Sequence, residues 1–169
     1  MRHACALSHA AGVALSVALM TLPTGTLATT PVVGVLTTPD LKQADTLVTR
    51  LIGLRDRLIG EEGHLERDRL EHIKQVVAEE DAALAALLPY LKLNQLFHDA
   101  PVEDRQALLS RLSDAGWHLS STLPTQIKLM DQQLGGVAPG DAASAYAIAG
   151  RGVLQNILAI LAPYVIGPA

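Results

Sequence analysis

Between Asp141 and Gly167 the chain reads DAASAYAIAGRGVLQNILAILAPYVIG, and after Asp141 the only charge in that stretch is Arg151. A helix from about Ala142 to Ala162 would be roughly 30 Å long at 1.5 Å per residue. Apolar around most of its circumference, it is better buried than exposed, so the other segments must wrap it. Arg151, Gln155 and Asn156 make it too polar for a comfortable membrane span.

The upstream chain supplies amphipathic helices. Thr38-Pro39-Asp40 forms a helix start, with Thr38 as N-cap, Pro39 in the first turn and Asp40 against the positive end of the helix dipole. Ala44, Leu47, Leu51, Leu54 and Leu58 follow at spacings of three and four, one apolar stripe. It fades at Gly60-Glu61-Glu62-Gly63, and 18 of the chain's 30 acidic and basic residues lie between Asp40 and Asp81. Two glycines within four residues predict the turn of a helical hairpin, although a single kinked helix from Pro39 to Leu88 is the alternative. The hairpin is preferred because helices average about three turns.

Ile73, Val76, Val77, Leu84, Leu87 and Leu88 restore the stripe, and Pro89 is expected to stop it. A linker over Tyr90–Ala100 then leads to a helix that starts at Pro101, carries Leu108, Leu109 and Leu112, and ends at Gly116. Ser121-Thr122-Leu123-Pro124 should start another, with Ile127, Leu129, Met130 and Leu134, before Gly135-Gly136. Asp141 caps the last helix. The expectation is an all-α bundle of four or five helices over residues 39–169, with the apolar C-terminal helix at its centre.

The N-terminus has the order of a secretory signal peptide: Arg2 and His3, an apolar run from Ala10 to Leu22, then small and helix-breaking residues from Pro23 to Ala28. Cleavage is expected after Ala28, giving an exported protein, secreted or periplasmic. A retained anchor is the alternative, but about 13 apolar residues fall short of the roughly 20 that span a bilayer. The single cysteine, Cys5, lies in the segment expected to be removed, so the mature chain would rely on its core without disulfides. Residues 29–38, with β-branched residues, a proline and a glycine and no helical period, read as a flexible leader, with a leader strand as the alternative.

Composition narrows the function. A net charge of −4 without a basic cluster removes the electrostatic term that nucleic-acid binding needs. Aromatics at 3% leave little to stack bases or sugars on. No Walker loop, Rossmann fingerprint, Cys-His zinc pattern or His-Glu-x-x-His is present.

Three local patterns remain. Glu61-x-x-His64 has the carboxylate–imidazole spacing of carboxylate-bridged di-iron bundles, and Asp68, Glu71 and His72 could add ligands from the next turns. Such bundles use the motif twice, whereas Gln95-x-x-His98 and Ala115-x-x-His118 lack the carboxylate, so a chance pair on a charged tip explains it more simply. No other cofactor is expected. Asp114, His118 and Ser121 have triad-like spacing, but triads draw their members from separate elements and no Gly-x-Ser-x-Gly elbow occurs. Ser144, Arg151 and Gln155 form a polar line on the last helix; it would face solvent, or pair Arg151 with Glu79, Glu80 or Asp81, or let Arg151 and Gln155 meet an anionic ligand head group.

Three functions are therefore weighed. The first is a non-enzymatic interaction module with a protein partner, contacting it through the charged tip between Arg55 and Lys74. The second is a carrier for an apolar small molecule, or a membrane-active protein, built on the last helix. The third is a metal-binding bundle. The first ranks highest, and the balance is against an enzyme.

Overall fold

The computed structural model describes residues 34–135 and 140–165. The expected signal peptide, and the leader up to residue 33, lie outside the described residues. Four helices form: α1 (Thr38–Glu61), α2 (Arg67–Asp99), α3 (Val102–Leu134) and α4 (Ala142–Val165), with a 3-10 turn at Glu62–His64 after α1. They pack on one another as an all-α bundle, without a strand among the described residues. At 1.5 Å per residue the middle helices run roughly 50 Å and the outer two roughly 36 Å.

The hairpin does form, with Gly60 and Glu61 still inside α1 and the chain turning over Glu62–His64 and the two residues that follow. The N-cap of α1 falls one residue before the expected Thr38: Thr37 Oγ1 accepts from Asp40 N at 3.3 Å and donates to the Asp40 carboxylate at 2.9 Å. Two expected breaks are absent. Helix α2 runs through Pro89 to Asp99 where a linker was expected, and α3 runs through Gly116 and Pro124 as one helix. The prolines are tolerated because Pro89, Pro124 and Pro163 all sit on solvent-facing sides. Water there can serve the carbonyl that loses its i+4 donor. Gly116 is buried and acts in packing: a Cβ there would stand 3.3 Å from Val165 Cγ1 and 3.6 Å from the Tyr90 ring.

The core stripes explain how the helices pack along their length. On α2 the buried residues Ile73, Val76, Glu80, Ala83, Leu87, Tyr90 and Asn94 alternate spacings of three and four. On α4, Ala143, Ala147, Gly150, Leu154, Ile157, Leu161 and Tyr164 do the same. That repeat keeps one seam facing its neighbours along the whole helix. Helix α4 touches all three other helices, which is what its near-absence of charge requires.

Packing is uneven. Helix α2 lies most extensively against α3, and α1 against α4; the α3–α4 and α1–α2 contacts are thinner, the last the thinnest of these four. The bundle is thus two helix pairs, α1/α4 and α2/α3, joined across a plane.

Residues 34–37, part of the expected flexible leader, are bound along the bundle end. Gly34 N donates to the Tyr164 carbonyl at 2.9 Å, and its own carbonyl accepts from Tyr90 Oη at 2.8 Å and Asn94 Nδ2 at 3.3 Å. Leu36, fully buried, donates its N–H to Asn94 Oδ1 at 2.8 Å, and its carbonyl accepts from His98 Nε2 at 2.7 Å. Gly34 has φ +87°, and a Cβ there would lie 3.1 Å from the Leu112 carbonyl. Only glycine suits both demands.

Candidate functional site

The plane between the helix pairs carries two surface concavities. At the α1–α2 seam, near the bound leader, a groove of about 400 Å³ is floored by Leu41, Leu88 and Leu91. Lys42, Asp45, Lys92, Gln95, His98 and Asp99 stand around it. It lies where α1 begins, on a helix that packs less extensively against α2 than against α4. Leu88 is 47% exposed, an apolar side chain offered to solvent at the groove. On the other seam, α3 and α4 leave a furrow lined by Pro124, Ile127, Leu158, Ala159 and Ala162, with Lys128, Asp131 and Gln155 as its polar members.

Arginines bridge the plane between the helix pairs. Arg55 of α1 donates through Nε to Asp81 of α2 at 2.5 Å and through Nη1 to Asp56 at 3.3 Å. Arg151 of α4 donates to Asp131 of α3 at 2.5 Å. Arg69 of α2 pairs with Asp141 at the head of α4 and donates to Ser144 Oγ at 2.8 Å. The backbone N–H of Ser144, together with Arg69, holds the Asp141 carboxyl below its ordinary range. Each pair is part-exposed, so each is worth about 0–1 kcal/mol.

Deeper in the plane lies Glu80, with 0% exposure and no hydrogen-bond partner on either carboxylate oxygen. It faces Gly150 of α4 so closely that a Cβ there would overlap Oε1. Burial pushes its carboxyl up to about 8; Arg55 opposes the shift and Asp81 adds to it.

The sequence candidates fare unevenly. Glu61 is the last residue of α1 and His64 lies in the 3-10 turn, so the two do not share a helix face. His64 and Asp68 are exposed, and His72 donates from Nδ1 to Gln133 Oε1 at 2.9 Å. Among the described residues no three His, Cys, Asp or Glu side chains gather as a metal would need. Asp114, His118 and Ser121 are all exposed on the single helix α3, and Ser121 Oγ donates to the backbone carbonyl of His118. Arg151 neither faces solvent freely nor pairs with Glu79, Glu80 or Asp81; its partner is Asp131, since α4 turns that side toward α3. Gln155 is exposed at the α3–α4 furrow, whose lining does not include Arg151.

The groove and the core positions of the polar residues Glu80 and Asn94 were missed, Glu80 having entered only as a candidate partner of Arg151. A signal for the latter existed: both occupy core positions of the three-four repeat on α2, where a polar residue needs a reason. Helix α4 is long and apolar enough to cross a membrane, the one such helix among the described residues, and about a third of its richest window is buried in the bundle. Comparison of the chain with protein-family models, with curated proteins and with solved structures gives no match.

Proposed function

We propose that the protein is an exported, non-enzymatic binding module whose α1–α2 groove receives apolar side chains of a protein partner. The observation that carries this is the leucine floor at the α1–α2 seam, in which Leu88 is exposed. Lys42, Lys92, Asp45 and Asp99 supply charges of both signs for a polar rim around an apolar centre, the usual anatomy of a protein contact. A partner side chain suits the groove better than a carried small molecule, because carriers enclose most of their ligand's surface and this groove leaves Leu88 in solvent. The charged tip between Arg55 and Lys74 supports the reading less well: Arg55, Arg69 and His72 there are engaged with Asp81, Asp141 and Gln133. Export is supported by the order of residues 2–28.

Amide NMR with small organic probes, phenol and isopropanol, tests the site. Shifts should gather at Leu41, Leu88 and Leu91 and vanish in Leu88→Asp, whose far-UV circular dichroism should stay helical. Shifts confined to the α3–α4 furrow would reject the groove. N-terminal sequencing of protein recovered from an exporting host should begin at Thr29; recovery of intact chain from the cell interior would reject export.

A further inference from the structure

Glu80 is set on the plane between the helix pairs. Its helix belongs to the α2/α3 pair, whereas its carboxyl meets the other pair at Gly150 of α4, and Leu51 Cδ1 of α1 lies 3.7 Å from the same Cβ position at Gly150. A neutral carboxyl is tolerable there, but an ionised one without a donor is far costlier. The hydrogen bonds of the charged groups nearby go to residues other than Glu80. Arg55, from α1, is bonded to Asp81 and Asp56. Arg151, beside Gly150 on α4, is bonded through Nη1 to Asp131 of α3, and its buried Nε makes no hydrogen bond to Glu80 or to any other described residue. On α2 itself the sequence neighbours Glu79 and Asp81 are acidic.

We infer that Glu80 is a proton-operated latch: protonated, it lets α2 close on Gly150 and Leu51, and ionised, it parts the α1–α2 seam. That seam gives way because it is the thinnest of the four between neighbouring helices. The latch stands whether or not the groove binds a partner, although parting the seam would widen the groove.

The sign follows from linkage. A carboxyl raised from 4.5 to about 8 in the closed bundle favours closure fully below pH 4.5, and that contribution is lost as pH rises through about 8. The opening equilibrium should increase about tenfold between pH 7 and 9.

The test uses the full chain. In protein labelled with ¹³C at glutamate carboxyls, the Glu80 resonance is assigned by its loss in Glu80→Gln and followed against pH. Hydrogen exchange of α1 and α2 is measured at pH 7 and 9 in both proteins, so that intrinsic base catalysis cancels. Glu80→Leu serves as a second uncharged variant should the glutamine chain fold poorly. The latch requires a titration well above the ordinary carboxyl range, and seam amides in the wild type that gain about tenfold more exchange than those of the uncharged variant. A Glu80 that titrates near its ordinary value overturns it, as do parallel exchange profiles in the two proteins.

Discussion

Asn94 and Glu80 occupy the same helix, about four turns apart, and both have 0% exposure. Asn94 accepts from Leu36 N and donates to the carbonyls of Gly34 and Tyr90. Glu80 has no such partner. The same burial thus does opposite things. At the leader end, polar atoms on α2 match polar atoms on an extended backbone, and the match specifies where residues 34–37 lie. At mid-bundle the polar atoms meet Gly150, with Leu51 packed against the same glycine, and the contact is tolerable in one protonation state only.

The largest effect should come from breaking the satisfied site. Asn94→Leu strips Leu36 N–H of its acceptor and leaves it buried; unfolding in urea should show a loss of about 3 kcal/mol, given 1–3 kcal/mol per stranded group. A loss under about 0.5 kcal/mol would mean that the leader residues do not depend on Asn94. Glu80→Leu should have the opposite sign at alkaline pH. At pH 9 the variant should be more stable than the wild type by about 2 kcal/mol, since an ionised buried group is replaced by an apolar one. At pH 5 the gap should shrink, because the wild-type carboxyl is then protonated. If the gap were the same at both pH values, ionisation of Glu80 would have no part in it.

Gly150→Ala sharpens the contrast further. Alone it forces the Glu80 carboxyl aside and should cost about 2 kcal/mol, despite the roughly 1 kcal/mol that alanine gains over glycine in a helix. Combined with Glu80→Ala the obstruction is gone, so the second substitution should become neutral or favourable. A double-mutant cycle from thermal melts reads the coupling; additive values would show that the two residues do not press on each other.

Much of the architecture was legible because it follows from periodicity. The stripe through Ala44, Leu51 and Leu58, the glycine-marked hairpin and the nearly uncharged α4 all sit where spacing and charge place them. The errors at Pro89, Gly116 and Pro124 share one cause. Local breaker rules describe an isolated helix, whereas here buried residues on both sides of each breaker, Leu87 and Tyr90 around Pro89 among them, hold the helix together. The site was less legible. Glu80 sits inside Glu79-Glu80-Asp81, which reads as a solvated run, and only its phase between Val76 and Ala83 marks it as internal. The groove lies at the seam between α1 and α2, a tertiary placement that one-dimensional spacing does not encode.

The smallest effect belongs to the arginine bridges, and it bears on whether the plane is held by charge or by packing. Arg151 and Asp131 have side chains 34% and 45% exposed, so solvent and salt screen them. Their double replacement by alanine should cost no more than about 1 kcal/mol at low salt, beyond any loss from the arginine stem, and the coupling should fade in 1 M sodium chloride. Measured alongside Glu80→Leu, this ranks the forces across the plane. If the Arg151–Asp131 coupling exceeded about 2 kcal/mol and survived high salt, the pair would be acting as a buried bridge. The α1/α4 and α2/α3 pairs would then be clamped electrostatically at the α3–α4 seam, leaving only the α1–α2 side free to respond to the protonation of Glu80.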